Sequence, residues 1–165
     1  GQDTLSASSE LKPFKGITYS SKNIHDLSYK TAWIEGVPGY GIGESVTYHI
    51  PPQNPRITEI ILVNGYVKSE KAWQENSRVK KLKMYIDDKP FAILNLEDTR
   101  KEQHFKFEPL GYSDRQDWNL KPSLGGQSSS KSWKFMKETN MTTQQLLKFT
   151  LMELTCIKKR IKNVG

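Results

Sequence analysis

A single cysteine, Cys156, is all that the 165 residues contain, so no intramolecular disulfide braces the chain and its fold has to rest on packing. Apolar runs approaching the ~18 residues of a membrane-spanning helix are missing too, which excludes a helical transmembrane segment. Hydrophobic residues make up only 35% of the sequence, yet a chain of this length can still close one core. The three histidines, His25, His49 and His104, are scattered without metal-ligand spacing. A triad can be imagined from His25 and Asp26, but no serine stands in a nucleophile-elbow context to complete it. Gly39-Tyr40-Gly41-Ile42-Gly43 has the glycines of a phosphate loop, but a strand pattern follows it where a helix N-terminus would be needed. Asp87-Asp88 reads as a turn and Glu97-Asp98 as the end of a strand, so no acid and base are clustered. The expectation is a protein that is not an enzyme.

Helix signals are almost absent before residue 120, and strand signals are frequent. Val46, Tyr48 and Ile50 alternate, and Pro51-Pro52 stops them. Ile57 to Val63 is a dense β-branched run of the kind buried on both faces. In the strand that follows, Leu82, Met84 and Ile86 oppose Lys81, Lys83 and Tyr85. Asp87-Asp88-Lys89-Pro90 is a tight connection to Phe91–Leu96, the hairpin partner. Gln103 to Phe107 adds a strand with Phe105 and Phe107 on one face. Short strands at this spacing, separated by Gly, Pro, Asn and Asp, predict an all-β sandwich or jelly roll.

Four motifs then occur in order: Thr31-Ala32-Trp33-Ile34-Glu35-Gly36, Gly41-Ile42-Gly43-Glu44, Asn64-Gly65-Tyr66-Val67-Lys68-Ser69, and Asn76-Ser77-Arg78-Val79-Lys80-Lys81-Leu82. Through them the chain resembles the discoidin-like (F5/8 type C) module known as the NADase-type glycan-binding or NAD-glycohydrolase-translocation domain, over roughly Ser20 to Asp117. The resemblance implies a galactose-binding-like jelly-roll β-sandwich in a secreted, periplasmic or cell-surface bacterial protein. Its implied role is non-catalytic binding of a glycan or cell-surface carbohydrate. The alternative is a protein-interaction or translocation module accompanying a neighbouring enzyme domain.

Charge is unevenly placed. Residues 1–120 carry 16 Lys+Arg and 16 Asp+Glu, whereas residues 121–165 carry 9 and 2, so the net +7 comes from the last 45 residues. The only helix-like stretch, Thr142 to Lys162, lies there with Cys156. A basic amphipathic helix can touch anionic lipid, nucleic acid or an acidic partner, but a different reading of the tail is preferred, and no nucleic-acid partner is expected. The closing strand implied by the resemblance is not evident as written. A one-nucleotide shift recovers it: because Trp and Met codons end in G, Trp133-Lys134 and Met136-Lys137 both yield Glu, Met141-Thr142 yields Asp and Met152-Glu153 yields Gly. The domain expectation is therefore a flexible segment at 1–18, a discoidin-like sandwich at 19–119, and an atypical basic tail at 120–165 that is an out-of-frame version of the closing strands.

Sugar recognition uses aromatic faces against C–H surfaces, with amides, carboxylates or cations for hydroxyls. The candidates on the expected loops are Tyr40, Tyr66, Lys68, Glu70, Trp73, Asn76 and Arg78. Trp73, in the polar segment Ser69–Ser77, is the leading candidate for exposure, with a plug over the sandwich end as its structural alternative. Trp33 and Tyr48 are expected in the core, and Asn64 and Asn76 can instead satisfy loop backbone. The resemblance also implies a structural Ca²⁺ held by Asp26 with an oxygen near Thr31, consistent with hard-cation chemistry. The family's Asp-Gly pair is Asp26-Leu27 here, and its distal glutamate exists only in the shifted frame.

Overall fold

The computed structural model describes residues 4–51, 57–110 and 131–141. Strands β1 (Thr4–Ala7), β2 (Leu11–Phe14) and β3 (Ile17–Tyr19) precede a 3-10 turn at Ser21–Ile24; β4 (Ser45–Ile50) and β5 (Ile57–Val63) follow. A short helix, α1 (Glu70–Gln74), leads into β6 (Arg78–Ile86), β7 (Lys89–Asn95), β8 (Glu102–Leu110) and β9 (Lys131–Met141). One antiparallel sheet has the order β1-β4-β9-β6-β7; β5 pairs with β8, and β2 with β3. The chain is thus an all-β jelly-roll sandwich, with Ile60 and Leu62 of β5 meeting Val46, Leu82, Met84 and Phe135 of the larger sheet in one core.

Alternation decides which side chains face inward. Val46, Tyr48 and Ile50 are buried while Ser45, Thr47 and His49 are half-buried. In the Ile57–Val63 run, Ile57 and Ile60–Val63 are buried as β-branched density predicts, while Thr58 and Glu59 are half-buried. On β6, Val79 and Leu82 both face the core despite a three-residue spacing, which a strict period of two forbids. Pairing is irregular at this point: Val79 faces Asn140, Lys81 faces Thr139 and Leu82 faces Lys137, so Lys80 of β6 and Glu138 of β9 are both skipped, and the break in alternation puts the two apolar side chains on one face. Asp87 and Asp88 both have positive φ, at 49° and 63°, as a two-residue hairpin turn requires. At the sheet's edge, β7 skips Phe91 between the pairs Met84–Ala92 and Tyr85–Pro90. A bulge and a proline therefore interrupt this edge.

Two expectations change. Residues 4–14, expected to lie in a flexible segment, form β1 and β2, with Leu5 opposite Tyr48 and the Leu11 amide donating to the Ile34 carbonyl at 2.8 Å. The closing strand, expected to be missing as written, is β9, which fills the slot between β4 and β6. Trp133 and Phe135 are each 1% exposed, and Lys134 and Met136 alternate with them on the half-buried outer face. On that face Lys134 lies 4.8 Å from the Tyr85 ring centroid and Lys83 pairs with Glu138 at 3.2 Å. The written residues thus bring Trp133 and Phe135 to the core, where the Trp133 indole N–H is left without a hydrogen-bond partner, and described strands lie on both sides of 19–119. The expected helix at Thr142–Lys162 and Cys156 lie outside the described residues.

Because Phe135 is enclosed, Phe135→Ala is expected to destabilise the fold by about 3–5 kcal/mol. Met136→Ala, next to it on the outer face, is expected to cost about 1 kcal/mol or less. Guanidinium denaturation of the two variants checks this, and equal effects would remove β9 from the core.

Candidate functional site at the loop end of the sandwich

Strand direction gathers the candidate residues at one end. β4 and β6 start where β9 and β7 finish, and Asn64, just beyond β5, bonds to Val79 near the start of β6. Loops 36–44, 64–77 and 96–101 therefore share this end. The Asp26–Thr31 segment borders it, since the Tyr29 hydroxyl donates to Glu102 at 2.5 Å and the Tyr66 hydroxyl to the Lys30 carbonyl at 3.3 Å.

Several predicted ligand groups are bound to one another. Asn64, fully buried, donates to the Val79 and Glu97 carbonyls at 2.7 and 3.2 Å and accepts from the Val79 amide at 2.9 Å. Its side chain acts as a piece of backbone joining the ends of β5 and β7 to β6. The Trp73 indole N–H donates to the Asn64 carbonyl at 2.9 Å, and the Arg78 guanidinium stacks 4.4 Å from the ring centroid. Arg78 forks onto Asp98 at 2.7 and 3.0 Å, which raises its pKa, and it also donates to the carbonyls of Trp73 and Asn76. Asn76 is buried and caps the Ala72 carbonyl.

Trp73, Asn76 and Arg78 thus form a structural knot, in which Trp73 is half-buried and engaged through its N–H and its ring face. Tyr66 is also enclosed, at 6% exposure, and burial raises its pKa. Lys68 and Glu70 are exposed, but Glu70 is engaged by Arg100 at 2.6 Å and Gln74 at 2.9 Å. Tyr40 is 51% exposed, with Ile42 beside it at 57%.

The loop bearing Tyr40 is fastened at several points. Glu44 accepts the hydroxyls of Ser8 and Ser9, and the Ser9 side chain accepts the Gly36 amide. Beneath the loop, Lys137 Nζ lies 3.6 Å from Glu35 Oε1 and donates to the Tyr40 carbonyl; the two side chains are 6% and 4% exposed. Sequence patterning gives little warning of this pair, since Lys137 occupies an inward-facing strand position where an apolar residue is expected.

Asp26 does not assemble the expected cation cage. Its two oxygens accept from the Ser28 amide at 2.9 Å and the Thr31 hydroxyl at 2.6 Å. One carboxylate, already satisfied within its own turn, falls short of the ~6–8 oxygens Ca²⁺ takes. No group of three or more Asp, Glu, His or Cys with metal-holding geometry occurs among the described residues. Leu27 has φ 58°, a conformation in which glycine is favoured, so the backbone keeps the shape of an Asp-Gly turn with a bulkier residue in it. The imagined triad is also unassembled, as Asp26 is held by Ser28 and Thr31 and the His25 ring meets Tyr48 edge-on at 6.4 Å.

A groove of about 410 Å³ lies at the β6–β7 edge, bounded by Lys83, Tyr85, Pro90, Phe91 and Ile93. Phe91 and Ile93 are 42% and 53% exposed. The alternation of β7 marks Ile93 as outward-facing, whereas Phe91, the bulged residue, meets the Phe107 ring at 5.6 Å.

Gly65 has φ 89°, and a Cβ there would lie 2.9 Å from Arg78 Cγ and 3.0 Å from Trp73 Cδ1. Gly65→Ala is therefore expected to destabilise the protein by about 2 kcal/mol or more, through left-handed strain and displacement of the Trp73–Arg78 stack. Thermal unfolding together with the Trp fluorescence spectrum checks it. An unchanged melting temperature would mean that the knot is not required.

The comparisons agree with this architecture. Residues 1–126 match the family model described as the NAD glycohydrolase translocation F5/8 type C domain. No curated protein matches the sequence. Similar solved structures include CpGH89CBM32-5 from Clostridium perfringens in complex with GalNAc-β-1,3-galactose (TM-score 0.58, 14% identity, covering 89% of this chain and 90% of that one). The family 32 CBM from C. perfringens NanJ in complex with galactose gives a TM-score of 0.53 at 12% identity, covering 89% and 88%. The CBM32-1 and CBM32-2 domains of C. perfringens ZmpB give 0.54 at 13%, covering 89% of this chain and 34% of that one. At such identities the likeness establishes the galactose-binding-like jelly roll. The family match covers most of the sequence, and the chain accordingly belongs to the NAD glycohydrolase translocation F5/8 type C domain family.

Proposed function

We propose that the chain is a non-catalytic carbohydrate-binding module of a secreted or cell-surface bacterial protein, taking its glycan at the loop end of the sandwich. The observation that carries this reading is Tyr40, half exposed on a loop whose backbone is tied to β9 and the Ser8-Ser9 segment. A phenol held on an anchored loop offers an apolar face to sugar C–H groups at little entropic cost. Lys68 and Glu70 at the same end supply a donor and an acceptor for hydroxyls, while Trp73, Asn76, Arg78 and Tyr66 serve as scaffold. Solved relatives of the same fold hold galactose and GalNAc-β-1,3-galactose, which makes a galactose-type sugar the first class to test. Among the described residues, the acid and base that meet at this end, Glu35 and Lys137, are buried beneath the loop and bound to one another, which supports binding without catalysis.

A second reading, a protein-interaction or translocation module accompanying an enzyme domain, is favoured by the apolar groove beside Phe91 and Ile93 and by the description of the family.

On a glycan array, the protein is expected to retain galactose-terminated ligands. Tyr40→Ala should weaken binding about tenfold, the equivalent of ~1.4 kcal/mol, with an unchanged melting temperature. Trp73→Ala should lose binding together with stability, because it loosens the knot. An array silent for the unmodified protein would sink the sugar reading in favour of the second, and an undiminished Tyr40→Ala signal would move the site elsewhere.

A further inference from the structure

We propose that Lys137, paired with Glu35, is the positioning residue of this binding end: it clamps loop 36–44 and thereby sets where Tyr40 stands. The glycan role of Tyr40 rests on the function proposed above, whereas the clamp itself rests on geometry alone.

Lys137 meets the loop at both its middle and its base. Its ammonium donates to the Tyr40 carbonyl and lies 3.6 Å from the Glu35 carboxylate. Its backbone carbonyl accepts from the Gly43 amide at 2.9 Å, and its own amide donates to the Glu44 carbonyl at 3.0 Å. Glu35 directly precedes the loop, and the Glu44 amide closes it by donating to the Gly41 carbonyl at 3.0 Å. Gly41 is required where it is, because a Cβ there would lie 2.5 Å from Glu35 Oε1. One residue of a central strand therefore fixes both ends of a nine-residue loop.

The pair acts through the loop and does not touch a ligand. The space bounded by Trp33, Val46, Leu82, Phe135 and the pair itself is about 10 Å³, which holds one water at most. A compact ammonium suits this space, whereas a planar guanidinium would need a wider one. The charged groups facing Lys137 are Glu35 and Glu44, and Glu44 also takes the hydroxyls of Ser8 and Ser9. Burial pushes the Glu35 carboxyl up to about 7 and the Lys137 ammonium down to about 7, and each partner's charge opposes the shift of the other.

The sign of the pH effect follows for a variant lacking the cation. With Lys137→Met, Glu35 stays buried without its partner, so its folded pKa remains above the ordinary 4.5. A raised carboxyl retains its full contribution to stability below its unfolded value and loses it as pH rises through the folded one. Lys137→Met should therefore be less stable relative to the unmodified protein at pH 8 than at pH 5.

The deciding experiment separates clamping from folding. In Glu35→Leu/Lys137→Met, apolar groups replace both charges, a change that cores commonly tolerate. The double variant is expected to keep its denaturation midpoint. Its amides at 39–44 should exchange at least tenfold faster while β6 amides are unchanged, and galactose-type ligands should bind about tenfold more weakly. Unaltered exchange at 39–44, or faster exchange with undiminished glycan affinity, would overturn the positioning role. Faster exchange in a protein that binds no glycan before or after the change would support the clamp and overturn the function proposed for Tyr40.

Discussion

The sandwich depends on filling one slot. β4 and β6 each present a row of backbone donors and acceptors inward to the sheet, and in the finished fold β9 satisfies both rows at once. Buried backbone groups left unpaired cost as much as lost hydrogen bonds, so the slot cannot stay open without loss of the fold. The strand that fills it must also bring large apolar groups to the inner face, which Trp133 and Phe135 do. Everything at the loop end inherits its geometry from this insertion. The base of loop 36–44 hangs on the backbone of residue 137, and the start of β6, which carries Arg78, is held in place by the last residues of β9.

The loop end itself combines two kinds of anchoring. On one side, neutral amides and an indole complete backbone hydrogen bonds around Asn64, and Arg78 is neutralised by Asp98 at the surface. On the other, a desolvated ion pair lies under a glycine-rich loop. Such a pair gives little net stability for its desolvation, but it is directional. Directionality is what a loop with an exposed aromatic residue needs, since loss of a single rotamer or backbone state at the tip would spread its contact surface over many orientations.

Much of the fold was legible in the sequence because alternation has few competing explanations. Val46, Tyr48 and Ile50, the Ile57–Val63 run, Leu82 and Met84, and the Phe105–Phe107 pair all lie where their period places them. β1 was illegible because Thr4-Leu5-Ser6-Ala7 is short and weakly apolar, and its strand character comes from pairing with β4. β9 does alternate, but Lys137 occupies a core position, so its apolar face is broken and the stretch reads as part of a basic tail. The irregular pairing at Lys80 and Glu138 was equally hidden, since a break in the ladder shows only once the partner strand is known. At the site, the sequence shows polar and aromatic residue types but neither their placement nor their availability: Glu70 and Trp73 lie on α1 and Arg78 opens β6. Trp73, Asn76 and Arg78 satisfy one another, and a sequence carries no record of which hydrogen bonds are already spent.

The interrupted edge of β7 has a bearing on how this module can assemble. A strand that lacks an amide at Pro90 and bulges at Phe91 offers no continuous ladder for another chain to extend. β1, at the opposite margin, is only four residues long. Edge-to-edge extension of the five-stranded sheet from one copy to the next is thus hindered at both of its margins, and contacts made by that sheet fall to its faces and loops. Those contacts are set by side chains, so they can be tuned without altering the backbone that carries them.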